Sequence, residues 1–157
     1  MKNKGKHLLL AVLLPLAVGG LSALISKNGF KDFQAMAKPP LSPPAWVFPI
    51  AWTILYVLMG LASYFIFEKQ SFGGEREKAL RAYGEQLFFN FFWTIIFFNF
   101  KSYRIAFLWL LVMLVLITET TVRFFRLDKK AGALLLPYCL WTLFAAYLNM
   151  GVYLLNR

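Results

Sequence analysis

The 157-residue chain is 60% hydrophobic and 18% aromatic, only 15% of it is charged, and its mean hydropathy is +0.61. Soluble domains average about 45–50% apolar and about 25% charged residues, so these values exclude a disordered chain, a fibrous protein and an ordinary soluble enzyme, and leave lipid as the solvent for much of the surface. The net charge of +10 does not point to nucleic acid, because the charges sit in short clusters between long apolar runs, an arrangement that anionic lipid headgroups favour.

The first apolar run, Leu8 to Ser26, has 19 residues without a charge and follows Lys2, Lys4 and Lys6. It is too long for the apolar core of a signal peptide and reads as an uncleaved first span. Pro39 to Phe67 is uncharged over 29 residues, Gln86 to Phe100 over 15, Ile105 to Thr118 over 14 and Ala131 to Asn156 over 26. A helix needs about 20 residues to cross the hydrocarbon, and these runs lack the alternation of barrel strands. The expected fold is therefore all-α, one integral membrane domain of five transmembrane helices at 7–26, 44–68, 79–100, 103–126 and 131–154. The third and fourth spans carry Arg81, Glu85, Arg123 and Arg126 near their ends. Long basic side chains there can snorkel to the interface; a re-entrant hairpin over Gln86–Phe125 is the alternative.

Between the first two spans, residues 27–43 hold Gly29, Lys31, Asp32, Lys38 and a Pro39-Pro40-Leu41-Ser42-Pro43 run. Proline removes amide donors and biases the preceding residue away from helix. The segment is expected to be extended or partly ordered and long enough to lie across one end of the bundle as a lid. Lysine and arginine number 11 on the side of the N-terminus and 6 on the other, which puts the N-terminus in the cytoplasm.

One histidine, His7, and one cysteine, Cys139, exclude a transition-metal site, an internal disulfide and histidine catalysis within the bundle. What remains is aromatic and amide side chains at helical spacing. Trp52 and Tyr56 share a face of the second span; Gln86, Asn90 and Trp93 share one on the third; Tyr138, Trp141, Ala145 and Asn149 share one on the fifth. If the three stripes converge, they form a pocket with flat apolar walls and a few hydrogen-bonding tips, suited to a large planar ligand. Each has a plainer reading. Trp46 also suits an interfacial belt, and Gln86, Asn90 and Asn149 suit hydrogen bonding between helices. Glu119, the one acid well inside the fourth span, has Arg123 four residues on as a partner. Gly19 and Ala23 form a small-xxx-small pair, and Gly60 with Ser63 also permits close helix approach. Leu148, Tyr153 and Arg157 match a loose sterol pattern that occurs by chance at many helix ends.

Three ordered signatures make the chain similar to the translocator protein family, also called the tryptophan-rich sensory proteins or peripheral-type benzodiazepine receptors. They are Pro43-Pro44-Ala45-Trp46-Val47-Phe48 with Trp52-Thr53-Ile54-Leu55-Tyr56; Gln86-Leu87-Phe88-Phe89-Asn90-Phe91-Phe92-Trp93; and Pro137-Tyr138-Cys139-Leu140-Trp141 with Ala145 and Asn149. The resemblance implies a five-helix protein of the bacterial cell membrane, commonly a homodimer, with no tightly held cofactor. It also implies a pocket for tetrapyrroles, such as protoporphyrin IX or haem-like rings, and for isoquinoline carboxamide or benzodiazepine drugs. The pocket would draw on Trp46, Phe48, Trp52, Tyr56, Gln86, Asn90, Trp93, Tyr138, Trp141, Ala145 and Asn149. Many relatives carry tryptophan near the start of the fourth span, where this chain reads Arg104-Ile105-Ala106-Phe107, which assigns that wall to Phe107. Some bacterial members promote light- and oxygen-dependent porphyrin breakdown; here Trp52 and Trp141 would confine or propagate the oxidation. A porphyrin transporter and a ligand-responsive stress sensor are the alternatives.

Overall fold

A computed structural model describes residues 3–157; Met1 and Lys2, the latter one of the basic residues counted at the N-terminus, lie outside the described residues. The described residues form six helices: α1 (Lys4–Ile25), α2 (Lys27–Gln34), α3 (Val47–Phe67), α4 (Glu75–Phe98), α5 (Tyr103–Leu127) and α6 (Lys129–Leu155). Four of them, α1, α3, α5 and α6, are long and apolar enough to cross a membrane. The 24-residue α4 has comparable length, but its first half carries Glu75, Arg76, Glu77, Lys78, Arg81 and Glu85. It starts four residues before the expected 79. Gly73 and Gly74, at φ 74° and 76°, end the preceding turn in a conformation open to glycine, and Glu75 and Glu77 favour the helix N-terminus that follows.

The long helices close a ring in which α1 packs on α3, α3 on α6, α6 on α5, α5 on α4 and α4 again on α1. One stripe of each faces inward. On α5 it is Ala106, Leu110, Met113, Ile117, Thr121 and Phe124, spaced three or four residues apart and buried. The opposite faces carry exposed Leu9, Leu13, Leu24, Val115, Leu140 and Leu143, a surface that suits hydrocarbon. Small residues permit a close crossing of α1 and α3. A Cβ on Gly60 of α3 would lie 2.5 Å from Val12 Cα and 2.7 Å from Ala11 O of α1. Gly19 faces the Tyr56 ring, so its small size serves packing inside the chain.

Asp128 alone joins α5 to α6. Its extended backbone turns the chain, and its Oδ1 accepts from Lys130 N at 2.8 Å and Ala131 N at 3.2 Å, satisfying two amides at the start of α6. Its Oδ2 meets Lys69 Nζ at 3.0 Å. Burial alone would raise the Asp128 carboxyl pKa, but Lys69 and the two amides together hold it below the usual carboxylate value. A depressed folded-state pKa contributes stability above the unfolded carboxylate pKa, and that contribution is lost as pH falls through the folded one. Lys69 is half-exposed, so solvent screens its share of that stability. Asp128→Ala is expected to cost about 1 kcal/mol, whereas Asp128→Asn should keep most of the cap and flatten the acid side of the stability curve. Thermal unfolding of both variants across pH checks this.

Residues 26–46 cover one end of the ring. The segment expected to be extended or partly ordered starts as a true helix, α2, and turns irregular only from the proline run onward. Tertiary contacts hold α2 in place: a Cβ on Gly29 would collide with the Phe98 carbonyl, and Asp32 takes Lys101 Nζ at 2.9 Å. That hydrogen bond, more than the wider field of the carboxylate, raises the Lys101 pKa. Further along, Ala37 O accepts from Asn156 Nδ2 at 2.8 Å and Pro40 O from Tyr147 OH at 2.6 Å. Asn99 Nδ2 donates to Ile25 O at 3.0 Å just before the segment begins.

Candidate functional site

Beneath α2 lies a cavity of about 440 Å³, within the range of small-molecule sites. Its walls come from the α2-facing ends of α1, α3, α4 and α6. Alpha3 supplies Phe48, Trp52 and Tyr56; α4 supplies Trp93, Thr94, Phe97 and Phe98; α6 supplies Trp141, Ala145, Leu148 and Asn149. Alpha1 adds Gly19, Ser22 and Ala23, Ser26 follows at the junction, and α2 closes the top with Lys27, Phe30, Lys31, Phe33 and Gln34. The rings form a continuous lining. Trp52 stands 5.7 Å from Tyr56 and 6.2 Å from Trp93, and Trp141 stands 6.2 Å from Phe48, centroid to centroid.

The three sequence stripes meet, but on two levels. Trp52, Tyr56, Trp93, Trp141, Ala145 and Asn149 reach the cavity, with Phe48 beside them. Gln86, Asn90 and Tyr138 lie deeper, outside the cavity lining, and bond one another. Tyr56 OH donates to Asn90 Oδ1 at 2.8 Å, Asn90 Nδ2 to Tyr138 OH at 2.9 Å, and Tyr138 OH to Gln86 Oε1 at 2.6 Å. All three of the deeper side chains are at most 1% exposed. This floor ties α3, α4 and α6 together, and a buried hydrogen-bonded network of this kind rigidifies what stands on it. A second link fixes the wall: Trp93 Nε1 donates to Asn149 Oδ1 at 3.1 Å, and Asn149 Nδ2 to Tyr103 O at 2.8 Å.

Trp46 and Phe107 are placed elsewhere. Trp46 is 67% exposed at the start of α3, and Phe107 lies on α5, which contributes no residue to the lining. The tryptophan of α5 is Trp109, which sequence reasoning passed over. It stacks on Phe89 at 4.3 Å and donates to Phe89 O at 2.7 Å, clamping α5 to α4 away from the cavity. Glu119 pairs with Arg123 at 3.0 Å on the partly exposed flank of α5.

Sequence reasoning also missed the roof. The spacing of Lys27, Phe30, Lys31 and Gln34 is helical, and that was the available signal. The lining contains no acid, histidine or cysteine, and among the described residues no cluster of three metal-ligating side chains occurs. The site can therefore enclose and stack a flat apolar molecule, and offers it hydrogen bonds. Its titratable side chains are Lys27 and Lys31 at the roof and the Tyr56 hydroxyl, which donates to Asn90 Oδ1. Two lining groups, Trp141 Nε1 and Ser26 Oγ, are buried without a hydrogen-bond partner among the described residues.

Residues 11–155 match the sequence profile of the TspO/MBR family. The chain is 40% identical to the tryptophan-rich sensory protein of Cereibacter sphaeroides over 124 residues, which is 79% of this chain and 76% of that protein. It is 34% identical to the tryptophan-rich protein TspO of Archaeoglobus fulgidus over 150 residues, covering 95% and 96% of the two chains. Identity to the translocator protein of Homo sapiens is 34% over 139 residues, covering 84% and 79%.

Proposed function

The chain belongs to the TspO/MBR family of integral membrane proteins, and from that premise we propose that its cavity binds a tetrapyrrole, protoporphyrin IX or a haem-like ring. Isoquinoline carboxamide and benzodiazepine-type drugs enter the same space. The observation that carries this reading is the cavity wall itself. Trp52, Trp93 and Trp141 present flat faces around one apolar volume, held from below by the Tyr56–Asn90–Tyr138–Gln86 network. Alpha4 is the fifth span in this reading, its charged first turns emerging into the interface and its apolar second half lining the cavity. The protein sits in the cell membrane with its N-terminus in the cytoplasm and pairs with a second copy.

The reaction assigned to this site is photooxidation, which needs neither an acid–base pair nor a metal ligand from the protein. Bound porphyrin absorbs light, and molecular oxygen is the oxidant. Addition of one O₂ across a carbon–carbon double bond of the ring, followed by cleavage to two carbonyls, balances without a further reductant. Trp52 and Trp141 flank the ring and confine or propagate the oxidation. Trp52→Phe and Trp141→Phe keep a flat wall and lose the indole, so each is expected to reduce light-driven loss of the porphyrin absorbance band roughly tenfold or more while shifting dark affinity only about twofold, since stacking on an aromatic is retained. The check is illumination of purified protein with protoporphyrin IX in air and under argon. Normal degradation by both variants would refute the indole role.

A further inference from the structure

Lys27 and Lys31 stand one turn apart on α2, and both border the cavity. Neither forms an ion pair among the described residues. The one acid of α2, Asp32, is engaged by Lys101 at 2.9 Å. Both lysines are exposed, while the rings beneath them are buried, as Tyr56 and Trp93 are, or half-buried, as Trp52 and Trp141 are. The cavity thus has an apolar, aromatic body and two unneutralised ammonium groups at one edge. Inside it, the unpartnered Trp141 Nε1 offers a donor to an occupant's polar atom.

We infer that the cavity selects flat amphiphiles bearing carboxylates on one edge, with Lys27 and Lys31 receiving those carboxylates at the roof and the ring body inserted among Trp52, Trp93 and Trp141. The inference rests on the tetrapyrrole reading and adds to it the orientation of the ligand and the source of its charge preference. Ligand carboxylates held at this edge remain near water, so their desolvation cost stays small. The lysine stems bury against the roof while their heads meet the acid groups. Attraction between partly solvated charges is screened by salt, which gives the inference a signature that packing alone lacks.

The test compares protoporphyrin IX with its dimethyl ester, titrated in the dark into the full-length protein in phosphatidylcholine nanodiscs, with empty discs subtracted. Wild type should prefer the diacid at low salt, and the preference should shrink as salt is raised. The double variant Lys27→Gln/Lys31→Gln should weaken diacid binding roughly tenfold, the scale of two exposed ion pairs, and leave the ester unchanged. The Lys27→Arg/Lys31→Arg variant should restore the preference. Equal losses for acid and ester, or no loss for the acid, would overturn the assignment while the tetrapyrrole reading stands. Failure of wild type to bind either compound saturably would overturn that reading, and this one with it. In phosphatidylglycerol discs, loss of retained lipid by the Gln variant with diacid affinity unaltered would assign the lysines to headgroups and also overturn the inference.

Discussion

Gly60→Val is expected to unseat α1 from α3 and to cost about 3 kcal/mol or more, at the upper end of overpacking penalties. The reason is what the new side chain would meet. A Cβ there lies 2.5 Å from Val12 Cα and 2.7 Å from Ala11 O, and both are backbone atoms that no rotamer change can move. The helices would have to separate along their crossing. Alpha1 contributes Gly19, Ser22 and Ala23 to the cavity, so ligand affinity should fall with stability. Gly20 is the matched control, since among the described residues a Cβ built there meets nothing within 4 Å beyond its own stretch of helix backbone. At about 2–4 °C per kcal/mol for a chain of this size, Gly60→Val should lower the unfolding midpoint by roughly 6–12 °C in detergent, with Gly20→Val close to wild type. Equal midpoints for the two variants would contradict the described crossing.

Ala145→Phe should abolish most ligand binding and leave the fold standing. Ala145 sits on α6, one turn past Trp141, with its methyl on the cavity wall. A phenyl ring there fills the space that a flat ligand needs, and the cavity absorbs it without displacing a neighbouring helix. A steric conflict of about 1–3 kcal/mol corresponds to a loss of roughly tenfold to a hundredfold in affinity. A dark porphyrin titration beside a thermal melt reads both quantities. Wild-type affinity in Ala145→Phe would place the ligand outside this cavity.

The long helices were legible because apolar runs of this length have few alternatives in water or lipid. Alpha3, α5 and α6 begin and end within about three residues of expectation, a disagreement of the size that helix termini normally carry. Alpha4 was the least legible of the long helices. Its first half is as charged as a surface helix, and the glycine pair that sets its start lies before the apolar pattern. Alpha2 was read as loop because eight residues cannot sustain a helix by local propensity; contacts with Phe98 and Lys101, distant in sequence, hold it.

At the site, residue spacing brought Trp52, Trp93 and Trp141 to one place, since spacing defines a face. It could not tell cavity wall from sealed floor. Tyr138 and Trp141 share a stripe, yet only the second reaches the cavity, because depth along the bundle depends on how far each helix slides past its neighbours. Trp46, just before α3, is exposed, and Phe107 is on α5, which lines no part of the cavity.

The central claim is that one flat tetrapyrrole occupies the space beneath α2. The most direct measurement is a dark titration of purified wild-type protein with protoporphyrin IX, following tryptophan fluorescence and the porphyrin absorbance band together. The account predicts saturable quenching at one porphyrin per chain with a shifted band, because Trp52, Trp93 and Trp141 all border the cavity. Quenching that rises without saturation and leaves the band as in empty detergent would contradict it.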